Sequence, residues 1–176
     1  CESLLKKTFC DTKPTVHSCD DRGFTALHVA CLFGHPLVVE LLLSSGSNVN
    51  ASDYSGSTAL HYAAAKGHQN ALLLLLHSRA TVDTCDNDGN TPLHLASNNG
   101  HEGCVKALLY FAEHSGLRLD PNCRNTNGNT PLHHAARWGY ENIVQILLEY
   151  GASPNVENKR QLTPVNFAHN LHVSEL

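Results

Sequence analysis

The chain has 176 residues, which suits a single compact domain. Its formal net charge is −4, from 12 Lys and Arg against 16 Asp and Glu, and this argues against nucleic acid or an anionic membrane as partner, since both attract basic proteins. The longest apolar run is Ala71 to Leu76, far short of the roughly 20 residues a membrane-spanning helix needs, and no N-terminal stretch has the charged-then-apolar layout of a leader. The expectation is a cytoplasmic protein with no direct membrane insertion, and the start at Cys1 without Met suggests a segment of something longer.

In chain order, residues 1–21 lack any repeating pattern and are expected to be a lead-in or cap. They hold three of the seven cysteines, Cys1, Cys10 and Cys19. With His17 they could supply four metal ligands, but the spacing is wide and no CxxC pair occurs, so neither a zinc ribbon nor a disulfide framework is expected. Cys31 and Cys104 fall on apolar helix faces, where a free thiol acts as a small hydrophobe.

From residue 22 a period governs the chain. Thr25-Ala26-Leu27-His28 returns as Thr58-Ala59-Leu60-His61, Thr91-Pro92-Leu93-His94 and Thr130-Pro131-Leu132-His133, with a degraded copy at Thr163-Pro164-Val165-Asn166. A glycine stands two residues before each of the first four copies (Gly23, Gly56, Gly89, Gly128), and Gln161 takes that place in the fifth. Nine residues after each Thr come Gly34, Gly67, Gly100 and Gly139.

Each slot has a physical reading. Thr caps a first helix by accepting from a free backbone N–H, and Pro92 and Pro131 occupy the first helical position, where a missing N–H costs nothing. The Leu and the small residues behind it point inward. The glycine ends the helix in left-handed geometry, and a second helix follows with apolar residues at helical spacing, as in Val38-Val39 and Leu41-Leu42-Leu43. The loops after it are rich in turn formers such as Asn50, Asp53, Asp83, Asp86 and Asn155.

A period of 33 residues carrying T-P-L-H-x-A resembles the ankyrin-repeat family. The resemblance implies an all-α solenoid of helix-turn-helix repeats with β-hairpin loops. Four repeats are expected at 22–54, 55–87, 88–126 and 127–159, with a degenerate capping half-repeat at 160–176. The third is enlarged by six residues around Tyr110 to Asp120, where the insert is expected to lengthen the second helix before turning at Gly116.

The resemblance also implies protein binding rather than catalysis, without cofactor or metal. No nucleophile elbow, phosphate loop or HExxH motif appears. Asp86-Asn87-Asp88-Gly89 lacks the downstream Glu of a calcium loop. Most of the thirteen histidines fall in structural slots: His28, His61, His94 and His133, then His35, His68 and His101 after the glycines. Ankyrin stacks present the exposed face of the first helix on a concave surface, which singles out Leu32, Phe33, Tyr62, Arg137 and Trp138 as partner-binding candidates.

The non-consensus stretches are more particular. Asp20-Asp21-Arg22-Gly23, Asn50-Ala51-x-Asp53-Tyr54, Leu72 to His77, Gly100-His101-Glu102-x-Cys104-Val105-Lys106-Ala107-Leu108-x-Tyr110 and Ala135-Ala136-Arg137-Trp138-Gly139-Tyr140 together resemble the first ankyrin block of a family of endosomal trafficking proteins. That resemblance implies binding to a Rab-family small GTPase in its GTP form, with contacts at Gln69 and Tyr110, and association with a longin-type R-SNARE. It places the protein on endosomes or lysosome-related organelles through its partners. A nucleotide-independent clamp on a SNARE or other protein is the alternative.

Overall fold

The structure, a computed structural model, describes residues 15–168. Four helix pairs follow one another: α1 (Ala26–Phe33) with α2 (Pro36–Ser44), α3 (Ala59–Lys66) with α4 (Gln69–His77), α5 (Pro92–Asn98) with α6 (Glu102–His114), and α7 (Pro131–Trp138) with α8 (Glu141–Glu149). A short α9 (Pro164–Ala168) begins the next pair. The first helices pack in a row, α1 on α3, α3 on α5, α5 on α7 and α7 on α9, and the second helices form a parallel row behind them.

The signature slots explain why each helix starts and stops. Thr25, Thr58, Thr91 and Thr130 sit in extended backbone at the N-cap, each reciprocating with the His three residues on. This is a capping box with imidazole in place of the usual carboxylate. The first helix closes in the left-handed region at Gly34 (φ 70°), Gly67 (φ 76°), Gly100 (φ 77°) and Gly139 (φ 71°). A side chain at Gly34 or Gly67 would also meet the imidazole of His68 or His101 at about 2.5 Å. Two independent constraints therefore select glycine there.

The core is one continuous cluster running the length of the stack. Leu27, Leu60, Leu93 and Leu132 from the first row meet Leu72, Leu75, Leu108 and Leu147 from the second, all 2 % exposed or less. Each such leucine contributes roughly 1.5–3 kcal/mol on burial. The small residues Ala30, Ala63, Ala96 and Ala135 are buried at matching positions and let adjacent helices approach closely. Stacking, not the single pair, creates this burial: Val38 of α2 is 45 % exposed, whereas its counterparts Ala71, Cys104 and Ile143 are buried at 1–2 %.

The expected β-hairpins are reduced to their minimum. Among the described residues there is no strand, only the antiparallel bridges Cys19 to Thr25 and Ser52 to Thr58. The reason lies in how each finger closes. Asp53 Oδ1 accepts from the N–H of Ser55 (2.8 Å) and Ser57 (3.0 Å), and Asp20, Asp86, Asn125 and Asn158 do the same at their positions. A side-chain turn holds the finger, so the backbone ladder needs only one rung, such as Asp53 N–H to Ser57 O at 3.0 Å. Between fingers one backbone-to-backbone bond per step continues the row: Tyr54 N–H to Arg22 O, Asn87 to Ser55, Thr126 to Asp88 and Lys159 to Asn127.

The third pair departs from the others. Helix α6 runs 13 residues against 9 in α2, α4 and α8, ends on Ser115 and turns at Gly116 with φ 65°. The insert therefore adds about one helical turn to α6 and then a loop through residues 115–121.

Candidate protein-binding face

Two edges of the stack are chemically regular. Along the fingers, the Thr25 backbone N–H donates to His28 Nδ1 (3.0 Å), and a backbone N–H can only donate, so Nδ1 is the bare nitrogen and Nε2 carries the hydrogen. His28 Nε2 then donates to Ser57 O of the next finger (3.2 Å). The same relay joins His61 to Asn90 O (3.0 Å), His94 to Asn129 O (3.0 Å) and His133 to Leu162 O (2.9 Å). At the opposite edge His68 Nε2 donates to Leu32 O (3.2 Å) and His101 Nε2 to Ala65 O (3.0 Å). In the fourth repeat Tyr140 lies over Gly100 in place of such a His.

Burial lowers the pKa of His28, His61 and His133, and drives that of His94 to about 4, so these rings are neutral donors between repeats. The buried thiols are equally inert. Burial pushes Cys31 to about 12 and Cys104 to about 11, which keeps both protonated at neutral pH and unsuited to nucleophilic attack. Of Cys1, Cys10, His17 and Cys19, only His17 and Cys19 fall within the described residues. Among these residues no group of three or more His, Cys, Asp or Glu is placed to hold a metal ion.

The side chains left over form the variable surface. At the first-helix row, Phe33 is 64 % and Trp138 51 % exposed, while Leu32 is half-buried. Phe33 and Trp138 end the first and fourth helices of that row, three packing steps apart, or about 25 Å at 8–10 Å per step. They define two ends of the face rather than one patch. Arg137 rides 5.3 Å from the Trp138 ring, a cation–π arrangement that presents charge and aromatic surface together.

Trp138 is held, not loose. Its Nε1–H donates to Asn98 Oδ1 (3.0 Å), which also accepts from His134 Nδ1 (3.1 Å). Asn125 Nδ2 donates to His134 Nε2 (3.4 Å), closing the network. Burial, then the neighbouring His94, lowers the His134 pKa to about 4. Asn98 thus organises this end of the face; helical spacing puts it on the exposed face, but its partners lie in the next repeat.

Tyr62 behaves differently from the other candidates. Its ring packs between Phe24 (5.1 Å) and His28 (5.9 Å), and its hydroxyl donates to Asp53 Oδ2 at 2.5 Å. Burial acts to raise the Asp53 carboxyl, but donors from Ser55, Tyr62 and Ser57 outweigh it and hold the pKa low. Tyr62 therefore ties a finger to the first-helix row and offers a partner only part of its ring.

Gln69 and Tyr110 lie on the second-helix row. Gln69 opens α4 exposed, with its carboxamide oxygen against Gly103 of α6, where an added Cβ would sit 2.5 Å away. Tyr110 is 57 % exposed and stacks on His114 at 3.8 Å. Both stand on the second-helix row rather than on the first-helix row of Phe33 and Trp138, Gln69 at the start of α4 and Tyr110 near the end of α6.

The ankyrin-repeat model (three copies) matches residues 1–86 and 74–158, nearly the whole chain. The chain is an ankyrin-repeat protein. Ankyrin stacks are protein–protein interaction modules, and the fixed edges and variable faces described above are the two halves of that design. No match to a curated protein is found. Among the described residues no helix of this ankyrin stack is long and apolar enough to cross a membrane.

Proposed function

We propose that this ankyrin block is an effector module that binds a Rab-family GTPase in its GTP form, in endosomal or lysosome-related-organelle trafficking. The reading rests on the sequence resemblance to Varp, a trafficking protein with such a block, together with one feature of the surface. Tyr110 occupies a slot filled by the polar Ser44, His77 and Glu149 in the other second helices, yet it carries an aromatic ring into solvent and His114 stacks on that ring. A pre-oriented, amphipathic Tyr suits the centre of an interface. Gln69, exposed at the start of the neighbouring α4, supplies an amide for a backbone partner, and adjacent helices fit within a footprint of roughly 800 Å² per partner.

The mechanism is differential affinity. Switch segments held by the γ-phosphate present one fixed surface, and their release in the GDP form removes it. Tyr110→Ala is expected to weaken binding to the GTP-analogue form by about 2 kcal/mol, or some 30-fold, and Gln69→Ala by about 1 kcal/mol, measured by calorimetry. Affinities unchanged in both variants would reject this assignment. A second reading, a nucleotide-independent clamp on an R-SNARE or another protein, draws on the exposed Phe33 and Trp138; binding that responds to Trp138→Ala and ignores nucleotide would favour it.

A further inference from the structure

The insert in the third repeat opens a cleft of about 750 Å³ against the end of α4 and the loop after it. Its apolar wall is Val82, Phe111 and Leu117, with Leu117 44 % exposed. Leu117 also lines the two adjoining clefts, so the insert places one apolar side chain at their junction. Arg79, Arg118 and His77 line the same cleft, against a single carboxylate, Asp83. Neither arginine has an ion pair or side-chain hydrogen bond among the described residues.

Arg79 is the informative residue. It sits in the left-handed region at φ 65°, in the slot that Gly46 (φ 86°), Gly116 (φ 65°) and Gly151 (φ 88°) fill in the other repeats. Nothing stands within 4 Å of an added Cβ at any of those three glycines, so space does not demand glycine there; backbone conformation does. An L-residue in this region costs roughly 1–2 kcal/mol. The second repeat carries that strain, and the exposed Arg79 side chain makes no hydrogen bond or ion pair among the described residues in return. Strain of this kind, held on a surface cleft, points to a use for the side chain.

We infer that this cleft is a docking site for a short acidic segment of another protein bearing an apolar side chain, the apolar group seated on Phe111 and Leu117 and its carboxylates met by Arg79 and Arg118. Within this cleft two arginines face one carboxylate, with Asp120 in the adjoining cleft that Arg118 also lines, and on a chain of net charge −4 the paired arginines favour an acidic over a basic peptide. Arginine's planar fork matches carboxylate geometry. The site is independent of the GTPase reading, since it involves neither Gln69 nor Tyr110 and no nucleotide.

The test uses the whole chain and two fluorescein-labelled hexapeptides, Asp-Glu-Leu-Phe-Glu-Asp and its counterpart with Lys at every acidic position, followed by anisotropy. Saturable binding of the acidic peptide alone is expected. Arg79→Gly should weaken it about tenfold and Arg118→Ala several-fold, the scale expected when one partner of an interface ion pair is removed. Arg79→Gly returns the slot to the residue of the other repeats and should fold at least as well, so lost binding could not be blamed on lost structure. Absence of saturable binding, equal binding of the Lys peptide, or an unaltered affinity in Arg79→Gly would overturn the proposal. So would displacement by inorganic phosphate at the peptide's own concentration, which would mark a simple anion site.

Discussion

The finger edge and the outer ends of α4 and α6 were built from the same repeating unit and have gone opposite ways. At the fingers, every repeat uses the same atoms: Thr N–H to imidazole Nδ1, imidazole Nε2 to the next finger's carbonyl, and an Asp or Asn carboxyl or amide oxygen closing the turn. Even Asn166 of the fifth copy accepts from the Thr163 N–H at 2.8 Å, taking the Nδ1 part of the role. At the outer ends, the unit is broken by Arg79 in a glycine slot, by the longer α6, and by an aromatic Tyr110 in a polar slot. The difference teaches where this protein spends constancy and where it spends variation. Atoms that join repeats are fixed by geometry, whereas atoms that face outward are free to be chosen by a partner.

The largest effect should come from breaking the fixed edge. His94 is fully buried and serves Thr91 N–H, Thr91 Oγ1 and Asn129 O. His94→Ala leaves a cavity and orphans the Thr91 backbone N–H, while Asn129 O keeps only the Asn125 N–H, and should cost about 3 kcal/mol in urea unfolding. Tyr110→Ala, at the variable edge, should change stability by less than about 0.5 kcal/mol. Equal losses in the two variants would erase the distinction between the edges.

Next comes acid. The pKa values of His94 and His134 are lowered to about 4 by burial, against an ordinary value of about 6.5 in the unfolded chain. Below pH 6.5 the unfolded chain takes up protons that the folded one refuses, so stability declines as pH falls from about 6.5 toward about 4 and levels off beneath. The loss should amount to a few kcal/mol, read from unfolding midpoints across that range. A flat profile would mean that the rings are not held neutral.

Smaller effects sharpen the picture. Arg79→Gly should stabilise the fold by about 1 kcal/mol by removing left-handed strain. Ser97 is fully buried in a slot that is Ala64 and Ala136 elsewhere, and its hydroxyl has no partner among the described residues. Ser97→Ala should therefore stabilise slightly, by about 0.5 kcal/mol. Thermal scans of both variants separate these gains from a null result.

Much of the stack could be read from the sequence because its determinants are local or repeat at a fixed period. Thr25, Gly34 and Leu27 announce a cap, a stop and a core position within ten residues, and recurrence every 33 residues says that neighbours stack. The candidate faces were less legible. Tyr62 reads from the sequence as a contact residue; that its half-buried ring also meets Phe24 and His28 and its hydroxyl Asp53 depends on how one finger meets the next helix. Helical spacing puts Asn98 on the exposed first-helix face, but its bond to Trp138, 40 residues away, is not legible there. Arg79 was discoverable in principle, by setting it beneath Gly46 and Gly151, but only its φ of 65° shows that the left-handed geometry was kept when the glycine was not.

The central functional claim is that the variable surface reads the state of a GTPase. It is met most directly by binding this chain to a small panel of Rab proteins, each loaded with a GTP analogue and with GDP. Saturable binding of one subgroup in the GTP form, weakened at least tenfold with GDP, is the expected result, at about 1.4 kcal/mol per factor of ten. Equal binding in both forms, or none across the panel, would contradict it and leave an ankyrin stack whose partner must be sought at Trp138 and in the cleft beside Arg79.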